Sequence, residues 1–447
     1  MKKLIETLKN IWSVEDLRVR ILFTLAFAAI YRFGSFIVLP GIDPNTAQAV
    51  MEQQASDNGL LSLLSMFSGG AFTHASIFAL GIMPYISASI VIQLLCVVVP
   101  YFQKMQREGE SGRRKINQYT RFLTIVILLV QGPAYLANLK TQYQTALPLD
   151  HWWSFLISGT IILAAGSMFV LWLGERITDK GIGNGVSLII MLGIIARLPQ
   201  AFGQEFIHRM NNMTGGGLVM FLIEIIVLFA VILIAILLVQ GTRRVPVQYA
   251  KRVVGNQQVG GARQYIPLKV FAANVMPIIF AQAVMFIPGI LARYIGGEAS
   301  AASIAFNNPQ SLWYNVLSAL LIILFTFFYT AITLNPVQMA EDMKRNNGFI
   351  PGVKPGKETA EYIDTIMTRI TFPGSLILAF IAIMPVFARM FDVSPEFSGF
   401  FGGTSLLILV GVVLDTLQQI ESHLMMRHYD GLLSSGRIHG RSGMTAY

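Results

Sequence analysis

A chain of 447 residues that is 54% hydrophobic and only 13% charged, with a mean hydropathy of +0.59, carries too little charge to clothe a soluble domain. Its net charge of +9 and pI near 9.6 would suit a nucleic-acid binder, but in so apolar a chain the basic residues first report membrane orientation. The one cysteine, Cys96, excludes a disulfide framework or a cysteine metal site within the chain.

Residues 1–20 space Leu4, Ile5, Leu8, Ile11 and Trp12 helically between lysines, which predicts an amphipathic helix on the inner membrane surface. No cleavage site of the signal-peptide kind follows it. Ten apolar stretches then have roughly spanning length: 21–39, 77–99, 122–139, 155–173, 186–198, 218–239, 270–291, 313–334, 372–387 and 402–417, the fifth only if it borrows flanking residues. An even number puts both termini on one side. With that side as the cytoplasm, the inner segments hold 27 of the 33 Lys and Arg, so the positive-inside rule sets the orientation.

The second stretch is a poor ordinary membrane helix. Pro84 removes a backbone donor, and Ser76, Ser87, Ser89 and Gln93 bring polar groups to hydrocarbon depth, so protein or water is expected beside it. Ile82 and Ile86 are four apart, hence on one face, where branched apolar side chains could close a polar-lined cavity. Ahead of it, 60–67 is apolar but too short to cross; it is either an interfacial helix at the outer headgroups or a segment folded back into the protein. Gly69 and Gly70 permit a sharp bend after it.

Residues 101–119 read as a charged, solvated inner loop, and Gln131-Gly132-Pro133 as a weakening of the third span. The glycine-rich run 181–185 lacks both a preceding strand and the Lys-Ser/Thr ending of a phosphate loop. The alternating, β-branched run from Arg243 to Arg252, a glycine turn at 260–262 and Tyr265-Ile266-Pro267-Leu268 predict a basic hairpin in the inner loop 241–269. A second inner loop covers 335–371. Two long basic loops on one side predict a docking surface for RNA phosphates or an acidic protein. Met83-Pro84-Tyr85-Ile86 and Met276-Pro277-Ile278-Ile279 open oppositely directed spans in corresponding places, a weak sign of an inverted repeat.

Ion-coupled transport needs ionisable groups at mid-membrane, and the candidates Glu224, Asp415 and His74 each stand alone in the sequence. Zinc-protease, nucleophile-elbow and Walker patterns are absent. Apolar and neutral inward groups fit instead a constriction that gates by dewetting.

Phe67-Ser68-Gly69-Gly70, 81–89, 108–115, 181–185, 249–252, 349–352, Tyr362-Ile363-Asp364 and 402–407 together resemble, in order and over essentially the whole chain, the bacterial SecY family of protein-conducting channels. The resemblance implies an all-α polytopic membrane protein with ten transmembrane helices in two pseudo-symmetric, inverted five-helix halves, a clamshell around a central pore. The halves would be 21–216 and 217–423, followed by a cytoplasmic tail at 424–447. It implies a passive conduit, without catalysis or cofactor, that passes unfolded secretory chains across the bacterial cytoplasmic membrane and releases membrane segments sideways into lipid.

By position, the resemblance implies a pore ring of Ile82, Ile86, Ile190, Ile279, Ile287 and Ile408. It implies a plug at about 60–71, including Leu60, Leu61, Leu64, Met66, Phe67, Ser68, Gly69 and Gly70. The lateral gate would lie near Ser87, Gln131 and Asn274. Arg243, Arg244, Lys251, Arg252, Lys344, Arg345, Lys354 and Lys357 would receive the ribosome, through its RNA and exit-site proteins, or the SecA motor ATPase. Further implied partners are the small SecE and SecG subunits, signal sequences and nascent polypeptides, accessory insertase subunits and the bilayer. Two positions depart from the family pattern. Lys354 stands where arginine is usual and cannot make its planar two-point contact. Phe271 stands where the seventh span usually begins with asparagine, and Asn274, three residues on, predicts a gate contact shifted by a turn. The competing class is an inverted-repeat secondary transporter of a small molecule, dependent on Glu224 or Asp415.

Overall fold

The computed structural model describes residues 12, 14–42, 68–72, 74–142, 152–211, 217–249, 252–254, 257–259, 263–271, 276–282, 284–285 and 311–434. Helix α1 runs over Glu15–Gly34, with Glu15 and Asp16 in its first turn and Arg32 in its last, the arrangement a helix dipole favours. Helix α1 therefore starts inside the segment expected to lie on the membrane surface, and residues 1–11 of that segment lie outside the described residues.

Helix α2, Met83–Val98, is shorter than the predicted stretch, because 68–82 turns repeatedly before the helix begins. Pro84 sits in the first turn of α2. Its missing amide costs nothing there, so it starts the helix and does not weaken it. At the other end Pro100 forces Val99 into extended backbone. The chain turns by 102° into α3, Pro100–Arg107.

Helix α4, Glu110–Gln142, begins only a two-residue turn later, so the expected solvated loop is a helical corner. Its charges support that corner: Arg114 lies 3.8 Å from Glu110 one turn back, and Lys115 lies 3.9 Å from Glu108. Pro133 is contained within α4 without ending it. Helices α5, Trp152–Lys180, and α6, Gly185–Asn211, follow, and α6 reaches its 27 residues by carrying Pro199 and the polar residues after it. Helix α7 is Gly217–Gln240.

Strands β1, Thr242–Tyr249, and β4, Arg263–Lys269, form the expected hairpin, in antiparallel register with Val245 opposite Ile266, while β2, Arg252–Val254, and β3, Gln257–Val259, pair at its tip. After α8, Leu312–Thr333, and α9, Pro336–Arg345, the two-residue strand β5, Gly348–Phe349, adds to the free edge of β1 and gives the sheet order β4-β1-β5. The two inner protrusions are thus one unit. Val245, Val247 and Leu268 from the hairpin share an apolar cluster with Met343, Ile350, Ile363 and Met367. The stretch 335–371 is accordingly not a loop: α9 occupies its start, and α10, Lys357–Met390, begins within it. Helices α11, Pro395–Ser398, and α12, Gly403–Ser434, complete the chain.

Among the described residues, seven helices are long and apolar enough to cross a membrane, or eight if the bent α2–α3 pair is counted as one span. The chain is a helical, multi-pass membrane protein. Three apolar clusters hold the helices together. One joins α4 and α5, a second joins α7, α8, α10 and α12, and the third lies between them, drawing on α2, α5, α6, residue 280, the end of α10 and α12.

Candidate functional site

The central cluster collects the isoleucines that lie far apart in sequence. Ile82 immediately precedes α2, and its carbonyl accepts from the Ile86 amide at 3.1 Å, which places the two one turn apart. Ile190 comes from the second turn of α6, Ile279 from the helical residues 276–282 and Ile408 from α12. Ile82, Ile86, Ile190 and Ile408 are buried in one cluster, and Ile279 packs against it. Branched aliphatic side chains gathered from four segments offer water no hydrogen-bonding partner. Ile287 lies outside the described residues.

Of the residues assigned to the plug, Leu60, Leu61, Leu64, Met66 and Phe67 also lie outside the described residues. Ser68, Gly69 and Gly70 are buried beside the cluster and firmly held. Arg32 Nη1 donates to the Gly69 carbonyl at 2.7 Å, the Tyr31 hydroxyl to the Ser68 carbonyl at 3.4 Å, and the Tyr135 hydroxyl to the Phe72 carbonyl at 2.8 Å. The Phe72 amide closes a turn onto Ser68 Oγ at 3.0 Å. Gly69 has a φ of +64°, and a Cβ there would lie 2.8 Å from the Gly193 Cα of α6, so no other residue fits. This end of the segment is therefore pinned between α1 and α6. Nearby, half-buried His74 sits 6.1 Å from the Phe36 ring. Burial, followed by the Arg197 and Arg32 guanidinium groups, holds its imidazole below the ordinary value of 6.5.

Ser87 on α2 and Gln131 on α4 are partly buried, whereas Asn274 lies outside the described residues. Phe271 is buried in the apolar cluster of α7, α8, α10 and α12. A pair that the sequence reading did not assemble crosses from α2 to α8: the Tyr329 hydroxyl donates to Gln93 Oε1 at 3.1 Å, while Gln93 Nε2 donates to Ser89 Oγ at 3.3 Å. Gln93 stood out in the sequence only as a polar group at depth. Its partner is 236 residues away, and the remaining signal is a tyrosine near the end of an apolar span.

On the inner unit, β1 alternates as a half-buried strand should, with Val245 and Val247 inward and Arg243 and Arg244 exposed. Lys344, Arg345, Lys354 and Lys357 are exposed on the adjoining helices and turns. Lys354 lies 3.6 Å from Glu358 and Lys357 4.0 Å from Glu361, surface pairs that hold little energy and leave both ammonium groups reachable. Lys251 lies outside the described residues, and Arg252 opens β2.

The transporter candidates take other roles. Glu224 is not lone: Arg209 Nη2 donates to its Oε1 at 2.6 Å inside a buried network. Its partner lies 15 residues back on the preceding helix, too far for a helical-spacing argument to reach. Asp415 is exposed on α12. Among the described residues, no group of His, Cys, Asp or Glu is placed to hold a metal ion.

Comparison with known proteins adds the family. The family model SecY matches residues 76–417. A protein translocase subunit SecY of Streptomyces galbus is 43% identical over 433 residues, covering 94% of this chain and 97% of that protein. The subunit of the same description in Vibrio cholerae is 41% identical over 436 residues, covering 96% of each. Among solved structures, one described as the structure of a protein conducting channel superposes with a TM-score of 0.62 at 19% identity, over 91% of this chain and 92% of that one. Sec61 in the canine ribosome-channel complex from the endoplasmic reticulum gives a TM-score of 0.56 at 18% identity, over 91% and 92%. The structural likenesses carry the fold, and the sequence relatives, together with the matched model, carry the conclusion: this chain belongs to the SecY family of protein translocase subunits.

Proposed function

We propose that the chain is the pore-forming subunit of a Sec translocon in a bacterial cytoplasmic membrane, with both termini in the cytoplasm. The observation that carries this reading is the gathering of Ile82, Ile86, Ile190 and Ile408 from three distant segments into one buried cluster, with Ile279 of a fourth segment packed against it. At rest the ring excludes water and hence ions, because a constriction of branched aliphatic side chains gives neither a polar partner. The plug follows the apolar segment 60–71 and is tethered at Ser68 to Gly70 by Arg32 and Tyr31. A translocating chain displaces both without chemistry, since a dewetted ring adapts to any side chain and offers no specific ligand.

The two halves, 21–216 and 217–423, part along the seam between α2 and α8, where the bond between Tyr329 and Gln93 is a neutral latch. Ser87, Gln131 and Asn274 line the same gate, with Ile287 completing the ring. Signal sequences and transmembrane segments leave sideways there into lipid. The inner unit built from the β1–β4 hairpin, β5 and the turns before α10 receives the energy source, either the ribosome or the SecA motor, through Arg243, Arg244, Lys251, Arg252, Lys344, Arg345, Lys354 and Lys357. A ribosome as partner accords with the structurally similar Sec61, which is described in a ribosome-channel complex. SecE and SecG complete the translocon.

The test is electrical. In a planar bilayer the intact translocon should pass almost no current at rest, and Ile408→Asn, which wets the ring, should raise resting current and relax signal-sequence stringency. Unchanged current and stringency in a variant that inserts normally would remove Ile408 from the constriction.

A further inference from the structure

The short stretch from Ser68 to Gly70 rests on more than the Arg32 and Tyr31 tethers of α1. Gly193 and Arg197 are four apart on α6 and so share one face. That face lies against the stretch. The Gly193 Cα is 2.8 Å from where a Gly69 Cβ would stand, and Arg197 Nε is 3.8 Å from where a Gly70 Cβ would stand, with His74 Nε2 at 3.5 Å from the same point. Arg32 Nη1, meanwhile, donates to the Gly69 carbonyl at 2.7 Å. Two guanidinium groups thus act on each other and on His74 around one turn, and like charges in such a place repel. The opposite charge that acts on Arg197 is the Glu396 carboxylate of α11, which belongs to the second half.

A helix as short as α11 does not hold a position by itself, and its flanks are fastened instead. The Ser394 amide donates to Glu205 Oε2 of α6 at 2.8 Å, and Arg389 Nε of α10 donates to Ser398 Oγ at 3.0 Å. Phe397 is 1% exposed, and its ring centroid lies 6.1 Å from that of Phe202 on α6 and 5.3 Å from that of Phe401. Bonded on both sides and anchored by a buried ring, the half-buried Glu396 is a fixed counter-charge. The packing leads to the same place. Phe397, Phe400 and Phe401 belong to one apolar cluster with Ile82, Ile190, Ile408 and Ala71, the residue that follows Gly70.

We propose that the corner around α11 is part of the seat of the plug: Glu396 holds the Arg197 guanidinium against Gly70 and offsets its repulsion of Arg32. Arg197 is then a positioning residue that acts on the closed state through the end of the plug. Closure draws on both halves, with Arg32 of the first and Glu396 of the second meeting at Arg197. This rests on the channel reading above, and the experiment separates the failure of one from the failure of the other.

The full translocon, with Cys96→Ser and with Ser68→Cys as a reporter, is reconstituted in lipid. Ser68 is buried, so the rate at which a membrane-impermeant maleimide labels its replacement from the outer side reads how often the plug end leaves its seat. A stalled secretory chain should raise that rate at least about tenfold over the idle translocon. In the idle translocon, Glu396→Gln and Arg197→Met should each raise it roughly three- to tenfold. Combined, they should raise it no further than Arg197→Met alone, because Glu396 acts through Arg197. Glu396→Asp, which keeps the charge, should restore most of the protection. If Arg197→Met does not accumulate, Arg197→Gln is read in the same way. An idle rate unchanged by Glu396→Gln overturns the proposal, as do two effects that multiply in full. If a stalled chain leaves the rate unchanged with Arg197 and Glu396 both present, the plug reading falls, and the seat with it.

Discussion

Tyr329 and Gln93 show how much a single contact contributes at the seam. Removing the hydroxyl in Tyr329→Phe leaves the packing and takes away a hydrogen bond worth about 0.5–1.5 kcal/mol, a shift of roughly 2–12-fold in the ratio of open to closed gates. Secretion of a reporter with a weakened signal sequence should rise accordingly; equal secretion by both forms would mean that the bond does not hold the gate. His74 makes a pH-dependent prediction. Its folded-state value lies below the ordinary 6.5, lowered first by burial and then by Arg197 and Arg32. The stability it lends the fold around it is therefore complete above about pH 6.5 and is lost as pH falls through the lower folded value. Acidifying the outer side should raise resting current, and His74→Gln, which cannot take up the proton, should suppress that rise. The same acid response in both would place the titrating group elsewhere. At this scale the sequence was least legible: Gln93 and Glu224 each acquire meaning from a partner on another helix, and neither helical nor strand periodicity specifies such a partner.

The elements were more legible where their pattern is local. The β-branched run with Val245 and Val247 on one face announced β1, and its pairing with Tyr265 to Leu268 is the observed register. The 101–119 stretch misled because a run of charges is typical of a solvated loop, yet the same charges at helical spacing support α3 and α4. The addition of β5 to β1 was invisible, since a two-residue strand has no periodicity and its register is set by the Tyr249–Gly348 pairing across a hundred residues of chain. That pairing makes the two inner protrusions one rigid platform. Charge reversal at Arg243→Glu and Arg244→Glu should weaken ribosome or motor binding at least about tenfold while leaving the buried face of β1 intact, since each lost contact to a phosphate or carboxylate is charge-assisted. Binding assays on reconstituted translocon would check this, and undiminished binding with the variant fully inserted would move the docking surface off the hairpin.

At the scale of the whole molecule, the described helices are held together by apolar clusters that each draw side chains from several helices. Most of the spans could be read from hydropathy, because the bilayer sets their length directly; seven such helices, or eight with the bent pair, are found among the described residues. The bends could not: α2 is shortened by the turns of 68–82 and ends at Val99, where proline redirects the chain by 102°. Ile82 and Ile86 lie at the start of this shortened helix and are buried in the apolar cluster shared with α6 and α12. The central claim is that a polypeptide passes through the isoleucine cluster. The direct measurement is crosslinking of a stalled secretory chain to cysteines placed one at a time at Ile82, Ile190, Ile279 and Ile408, with Cys96 replaced. Adducts at all four positions are the predicted result; a chain that translocates normally and forms none would contradict the account.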